Sequence, residues 1–293
     1  MLAVAPRAIC LLFCTEFLLA ATGADAHGIV GARFFPATIT TDDPFAADEL
    51  ALPTVTLFNH EVDYDLDYAK TIVTGFALSI GTGYADVRPP GRPDAGGFGN
   101  ASVTPALELW RNEAHESIVT AGLIWEIGGT GSKAVADSRS TYTPEIAFGK
   151  GLGDLPDTMA VLRPLAITGQ LGFAISGNAA QSKVLHWGSA VEYSFLYLQN
   201  NVRDQGFSRF VAHLTPVIEY AFATPTDAGG GITTGTINPG LFWSGQYTQL
   251  GIEAVVPVNH ASGDSVGVVA QLHFYIDDIF PRSLGRPIFG EYR

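Results

Sequence analysis

Cysteine is nearly absent: Cys10 and Cys14 are the only two, and both precede residue 27. Once that leader is removed, neither a disulfide framework nor a thiolate metal site is available. Basic residues are scarce, 16 against 29 acidic ones, and the formal net charge of −13 argues against a nucleic-acid partner. Beyond the leader no apolar run approaches the roughly 20 residues of a helical membrane span. Yet 47% of the chain is hydrophobic and only 15% charged, which also excludes a disordered chain.

The leader reads as an export signal. Arg7 precedes an apolar stretch from Ala8 to Ala21, and Ala24-Asp25-Ala26 supplies a small-residue cleavage site, so residues 1–26 are expected to be removed. Leu12-Phe13 lack the small side chains that would favour lipidation at Cys14. Cleavage takes Arg7, Glu16 and Asp25 and leaves a net charge of −12. Residues 27–50 are then an N-terminal periplasmic segment or plug, 51–283 one large β domain, and 284–293 a tail.

What the chain has in abundance is two-residue alternation. From Val184 to Tyr197, Leu185, Trp187, Val191, Tyr193, Phe195 and Tyr197 fall on one parity, opposed by His186, Gly188, Glu192 and Ser194. Phe210 to Phe222 repeats the pattern with Arg209, His213, Thr215 and Glu219 on the polar side. Further segments at 62–68, 72–84 (after a turn near Ala69-Lys70), 103–110, 119–127, 142–148, 165–176, 237–243, 250–258 and 266–280 bring the total to eleven. Strands of about ten residues, apolar outside and polar inside, mark an all-β, antiparallel transmembrane β-barrel.

Connection lengths add a direction. Long Gly/Pro/Asp-rich connections (86–101, 128–141, 176–183, 223–231, 259–264) follow every second strand, as expected if long loops gather at one end and short turns at the other. A chain entering from the periplasm then needs a twelfth strand. Residues 52–58 are preferred because the apolar parity breaks near Asn59-His60, and 28–39 is the alternative.

The aromatic girdle is assigned to Trp125, Trp187, Tyr197, Phe210 and Tyr220. Trp187 to Tyr197 and Phe210 to Tyr220 are intervals that a strand tilted near 40° converts to roughly 25 Å, the height of an outer-membrane apolar band. By parity the lumen receives Asp63, Asp65, Asp67, Glu126, Gln170, His186, Glu192, Arg209, His213, Glu219, Gln249, Glu253, Gln271 and His273. These line a pathway or pair with one another to hold the wall. Arg209, His213 and Glu219 with Glu192 and His186 form the densest set and are expected to make the constriction or a substrate-orienting patch. Their acidic bias favours cations over anions.

Chemistry-bearing patterns are sparse. A processed chain would begin His27-Gly28, and an N-terminal histidine can chelate copper, but copper monooxygenases of that kind need a disulfide-bearing sandwich. Glu113, His115 and Glu116 lie in a short turn without the spacing of a helical zinc site, and are read as solvated. Gly149-Lys150-Gly151-Leu152-Gly153 lacks the Ser/Thr of a phosphate loop. No catalytic residue and no cofactor are assigned.

Three segments carry a resemblance: Glu61 to Ile80 (EVDYDLDYAKTIVTGFALSI), Ala121 to Gly131 (AGLIWEIGGTG), and Ile252 to Asn259 followed by Ser262-Gly263. They resemble outer-membrane barrels named for the meta-pathway of phenol degradation, and Gln271 to Pro281 is similar to the ends of related barrels. The resemblance implies a channel-like barrel of the Gram-negative outer membrane, admitting a small hydrophobic or aromatic solute, and assigns no site residues. The chain departs from such barrels in running on from Arg282 to Arg293 beyond its last aromatic strand. The expected partners are outer-membrane lipid, a small-molecule solute and the barrel-assembly machinery. The expected function is passive uptake, with a closed structural or binding barrel and a membrane-bound lipid hydrolase as alternatives.

Overall fold

The computed structural model describes residues 28–290 apart from Arg92 and Ala228; the leader, both cysteines and His27 lie outside the described residues. Twelve strands form the wall: β1 (Glu49–Phe58), β2 (Glu61–Val73), β3 (Phe76–Val87), β4 (Ser102–Asn112), β5 (Ser117–Glu126), β6 (Thr141–Gly151), β7 (Leu165–Ser176), β8 (Val184–Tyr193), β9 (Leu214–Pro225), β10 (Thr234–Ser244), β11 (Thr248–Pro257) and β12 (Gly267–Tyr275). Each pairs antiparallel with its sequence neighbours, and β12 pairs with β1 through Val268↔Leu57 to Tyr275↔Glu49, which closes the barrel. Closure leaves no free edge in the wall.

The sequence dictates this register. Large apolar residues such as Leu171, Trp187, Ile218, Leu250 and Ile252 point outward, while Thr168, Ala190, Val217, Phe242 and Val269 face in and are buried. A one-residue slip would exchange the two faces, so the alternation itself fixes the pairing. The twelfth strand is the 52–58 segment, begun earlier at Glu49; residues 28–39 are not part of the wall. Asn59 and His60, at φ 50° and 66°, form a two-residue turn of the type that joins twisted antiparallel strands, which explains the break in parity there.

Several boundaries differ from the sequence reading. The hairpin between β2 and β3 turns at Thr74-Gly75, not at Ala69-Lys70, because Gly75 supplies the positive φ of 79°. Strand β8 stops at Tyr193, since the Ser194 side chain accepts a hydrogen bond from Tyr197 N and caps a helical turn, Phe195–Tyr197. Ser208 caps a second turn, Arg209–Ala212, so β9 begins only at Leu214. The last strand ends at Tyr275 and passes into the helical turn Ile276–Ile279, leaving Phe280 outside the wall.

One end of the barrel, the loop end, carries connections 88–101, 127–140, 177–183, 226–233 and 258–266 together with the tight 59–60 turn. The other, terminal end carries the start of β1 and the end of β12. The longest connection, 194–213, also lies there, so long connections do not all gather at one end. At the loop end β3 outgrows β4. Its residues Phe76–Gly81 pair with β4, whereas Tyr84–Val87 pair with a short added strand, Ala95–Phe98.

Candidate functional site: the lumen and its inner segment

Residues 28–48 lie within the barrel and form its inner segment. A small hairpin, Ile29–Val30 with Arg33–Phe34, sits at the terminal end. Arg33 is fully buried: it donates to the Pro164 carbonyl at 2.9 Å, to the Arg163 carbonyl, and to Glu116 Oε2 at 3.3 Å. Its guanidinium also lies 3.7 Å from the centroid of the Tyr197 ring. Tyr197 donates its hydroxyl to Glu116 Oε1 at 2.9 Å, and burial together with that carboxylate pushes the phenol up to about 12.

From this anchor the chain climbs to the middle of the barrel and returns. Gln249 donates to the Ala37 carbonyl at 2.6 Å. At the tip, Glu219 accepts from the backbone N–H of Ile39 on Oε1 (2.8 Å), and from Thr40 N (3.0 Å), Thr41 N (2.7 Å) and the Thr41 hydroxyl (2.9 Å) on Oε2. Thr40 Oγ1 donates to Glu253 Oε2 at 3.1 Å and accepts from Asn238 Nδ2 at 2.7 Å. On the way back Asp42 N donates to Gln170, and Thr120 donates to the Pro44 carbonyl. Finally Asp48 accepts from Lys70 Nζ and Thr71 N, both at 2.6 Å.

The inner wall is shaped to this segment. Phe35 and Phe45, 5.7 Å apart, pack with Val30, Ile118 and Ala166, and Ile39 joins Ala190, Val217 and Phe242. A side chain at Gly251 would run into Ile39, its Cβ falling 2.6 Å from Cδ1, and one at Gly188 would meet Thr41.

Acidic groups dominate what remains of the lumen. Asp63, Asp65 and Asp67 share one face of β2 opposite Ala85, Gly83 and Gly81, and the aspartates at 65 and 67 lie over the space the two glycines leave. A cavity of about 270 Å³ borders this ladder and Asn100 at the loop end. A second, of about 280 Å³, runs between the inner segment and the wall past Asp42, Glu49, Glu145 and His273, and both reach Asp67 and Ser102. Burial raises the Asp42 carboxyl, opposed by its hydrogen bond to Glu145 and by His186. Glu219 and Glu253 face the lumen from the strands on either side of β10, opposite Asn238 and Gly240. Glu192 is 2% exposed, and among the described residues neither of its oxygens has a hydrogen-bond partner.

Of the residues assigned to the lumen from sequence, twelve stand on inward-facing positions of the wall: Asp63, Asp65, Asp67, Glu126, Gln170, His186, Glu192, Glu219, Gln249, Glu253, Gln271 and His273. Glu126 accepts from Asn100 at 2.9 Å, Gln271 donates to Thr54 at 3.0 Å, and His273 Nε2 lies 2.9 Å from Glu49. Arg209 and His213 do not belong there. Arg209 is on a helical turn, and His213 ends that turn with its ring on the Ser244 carbonyl, both at the terminal end. The cation near Glu192 is instead Arg33. Glu49, Glu145, Asn238 and Glu116 were missed; Glu145 sits at the odd, inward parity of a strand whose outer face, Tyr142, Ile146 and Phe148, is plain in the sequence.

The girdle also changes. Trp125 stacks on Tyr142 and Trp187 on Phe222 near the loop end, with centroids 6.0 and 4.3 Å apart. Tyr197 is buried against Arg33, off the outer face, and Phe210 reaches the outside from a helical turn, stacked 6.1 Å from Trp243. Tyr220 points outward from mid-strand rather than from a rim. On the outer face Val103 pairs with Trp125, and Trp110 follows seven residues on in β4, which separates these two tryptophans by roughly 18 Å.

Among the described residues no group of three His, Cys, Asp or Glu side chains could hold a metal ion. Glu116 is not a solvated turn residue: it is buried at φ 45° and committed to Arg33, Tyr197 and Gly153 N.

The architecture is that of a closed twelve-stranded antiparallel barrel. Among solved structures it is similar to a KdgM porin, with 13% identity over 77% of this chain and 98% of that one at a TM-score of 0.50. A KdgM porin in complex with disordered oligogalacturonate gives 12% identity at the same coverage and TM-score, and a NanC porin 9% over 78% and 98% at 0.49. At these identities the likeness is one of fold. No family model and no curated protein matches the chain, so its likeness to the phenol-degradation barrels rests on the quoted segments alone.

Proposed function

We propose that this chain is an outer-membrane β-barrel channel that lets a small solute cross passively. The observation that carries this reading is the opposition between the two faces of one wall. Ile252, Leu171 and Leu250, each more than half exposed, stand outside, while Glu192, Glu219, Gln249 and Glu253 stand inside. A soluble barrel would have no reason to put its apolar residues outside and its carboxylates inside, whereas lipid outside and water inside demand that arrangement. The acidic lumen supports cationic or neutral solutes over anions. The hydrophobic or aromatic solute implied by the resemblance would have to pass the aspartate ladder.

A closed binding barrel is the second reading, supported by the inner segment and its grip on Glu219. Planar-bilayer recording on purified protein separates the two. Stepwise current supports the channel; sustained silence, with the protein shown to be folded, supports the closed barrel.

A further inference from the structure

Resting on the channel reading, we propose that the tip of the inner segment, Thr38–Asp42, is a removable occupant of a carboxylate site formed by Glu192, Glu219 and Glu253, and that a small guanidinium-type cation displaces it. Glu219 and Glu253 stand at mid-strand on β9 and β11, and Glu192 lies beside them toward the terminal end of β8, on the side of Arg33; each is no more than 2% exposed. Paired strands join Glu192 and Glu219, with Ala190 opposite Glu219 and Glu192 opposite Val217. Burying such groups is costly unless donors meet them.

The segment meets them incompletely. Its amides serve both oxygens of Glu219, one N–H on Oε1 and two on Oε2, while Thr40 serves only one oxygen of Glu253. Glu253 Oε1 and both oxygens of Glu192 have no hydrogen-bond partner among the described residues. The site therefore has more acceptors than its present occupant has donors. Several N–H groups spread over both oxygens of a carboxylate is the pattern a planar guanidinium offers, and such a cation adds the charge that backbone amides lack. Both limbs of the segment descend to the terminal end, at Arg33 and at Asp48, so the tip can withdraw without opening the wall.

The test places a single reporter beside the tip. Ala37 is 2% exposed, and the chain has no cysteine after Cys14, so Ala37→Cys gives one buried thiol in the processed protein. Its labelling by a bulky, water-soluble maleimide is followed in lipid vesicles, with heat-modifiable migration confirming the folded barrel and peptide mapping locating the label. Methylguanidinium chloride should accelerate labelling at least about tenfold over an equal concentration of sodium chloride, which controls for screening. Adding Glu219→Gln should make labelling fast whether or not the cation is present. Equal rates in the two salts overturn the proposal without recourse to that variant, and so does a slow, wild-type rate in a folded Glu219→Gln protein. If labelling responds as expected but no current is seen in bilayers, the site stands and the channel reading falls. If current flows and labelling does not respond, the reverse holds.

Discussion

Arg33 holds the inner segment at the terminal end, and replacing it with methionine should loosen that segment while leaving the wall intact. The guanidinium is fully buried and its partner Glu116 nearly so, at side-chain exposures of 0% and 6%. Breaking a buried pair by removing one member costs about 3–5 kcal/mol, because the remaining charge is stranded. Here Glu116 keeps the Tyr197 hydroxyl and the Gly153 amide, which places the expected loss near the lower bound, about 3 kcal/mol. Two carbonyls, of Pro164 and Arg163, lose their donor at the same time. Local opening governs amide exchange, and about 1.4 kcal/mol is a factor of ten, so amides from Val30 to Thr41 should exchange roughly 150-fold faster. Hydrogen exchange with mass spectrometry in lipid or detergent reads this directly, with β7 and β8 amides as the internal control. Segment amides that keep their wild-type rates would refute the anchoring role assigned to Arg33. Equal acceleration in β7 and β8 would show instead that the segment and the wall are one cooperative unit.

Other consequences are equally open to measurement. Arginine at Leu171 or Ile252, on the outer face at mid-strand, should cost about 2–4 kcal/mol in urea titrations of folding into lipid vesicles, whereas a water-facing wall would tolerate either change within about 0.5 kcal/mol. Gly251→Val places a side chain where Ile39 now lies and should weaken the segment's seating by about 1–3 kcal/mol, seen as faster exchange at Ile39 to Thr41; unchanged protection there would contradict the close fit. Replacing Asp63, Asp65 and Asp67 together with asparagine should move the reversal potential in a potassium chloride gradient away from cation preference, and an unmoved potential would remove the ladder from the conducting path.

The wall was legible because its physics is local. Alternation sorts outward-facing from lumen-facing side chains, and parity alone puts Glu192, Glu219, Gln249 and Glu253 inward. Parity failed where an apolar rhythm continued by chance into non-strand chain. Phe195 and Tyr197 keep the odd phase of β8, although Ser194 and Ser208, each capping a short helical turn, were readable stop signals. The inner segment could not be read in the same way. It meets Glu219 mainly through backbone N–H groups, which any residue but proline could supply, so its side chains leave no periodic trace of where it docks. Glu116 was misjudged for a related reason, since its partners Arg33 and Tyr197 are distant in sequence.

The short strand Ala95–Phe98 has a bearing on how copies of this protein behave toward one another. Where β3 rises past β4, residues Tyr84–Val87 would present bare amide and carbonyl groups at the mouth of the barrel. An uncovered ridge of that kind is a template for strand addition by a neighbouring chain. The folded-back strand spends those hydrogen bonds within the same molecule, and Ser132 meets its outer side at Phe98, donating its N–H to the Phe98 carbonyl and accepting the Phe98 N–H on its hydroxyl. What a neighbouring copy would meet there is the outer side of residues 95–97, and so short an edge is a poor template for strand addition.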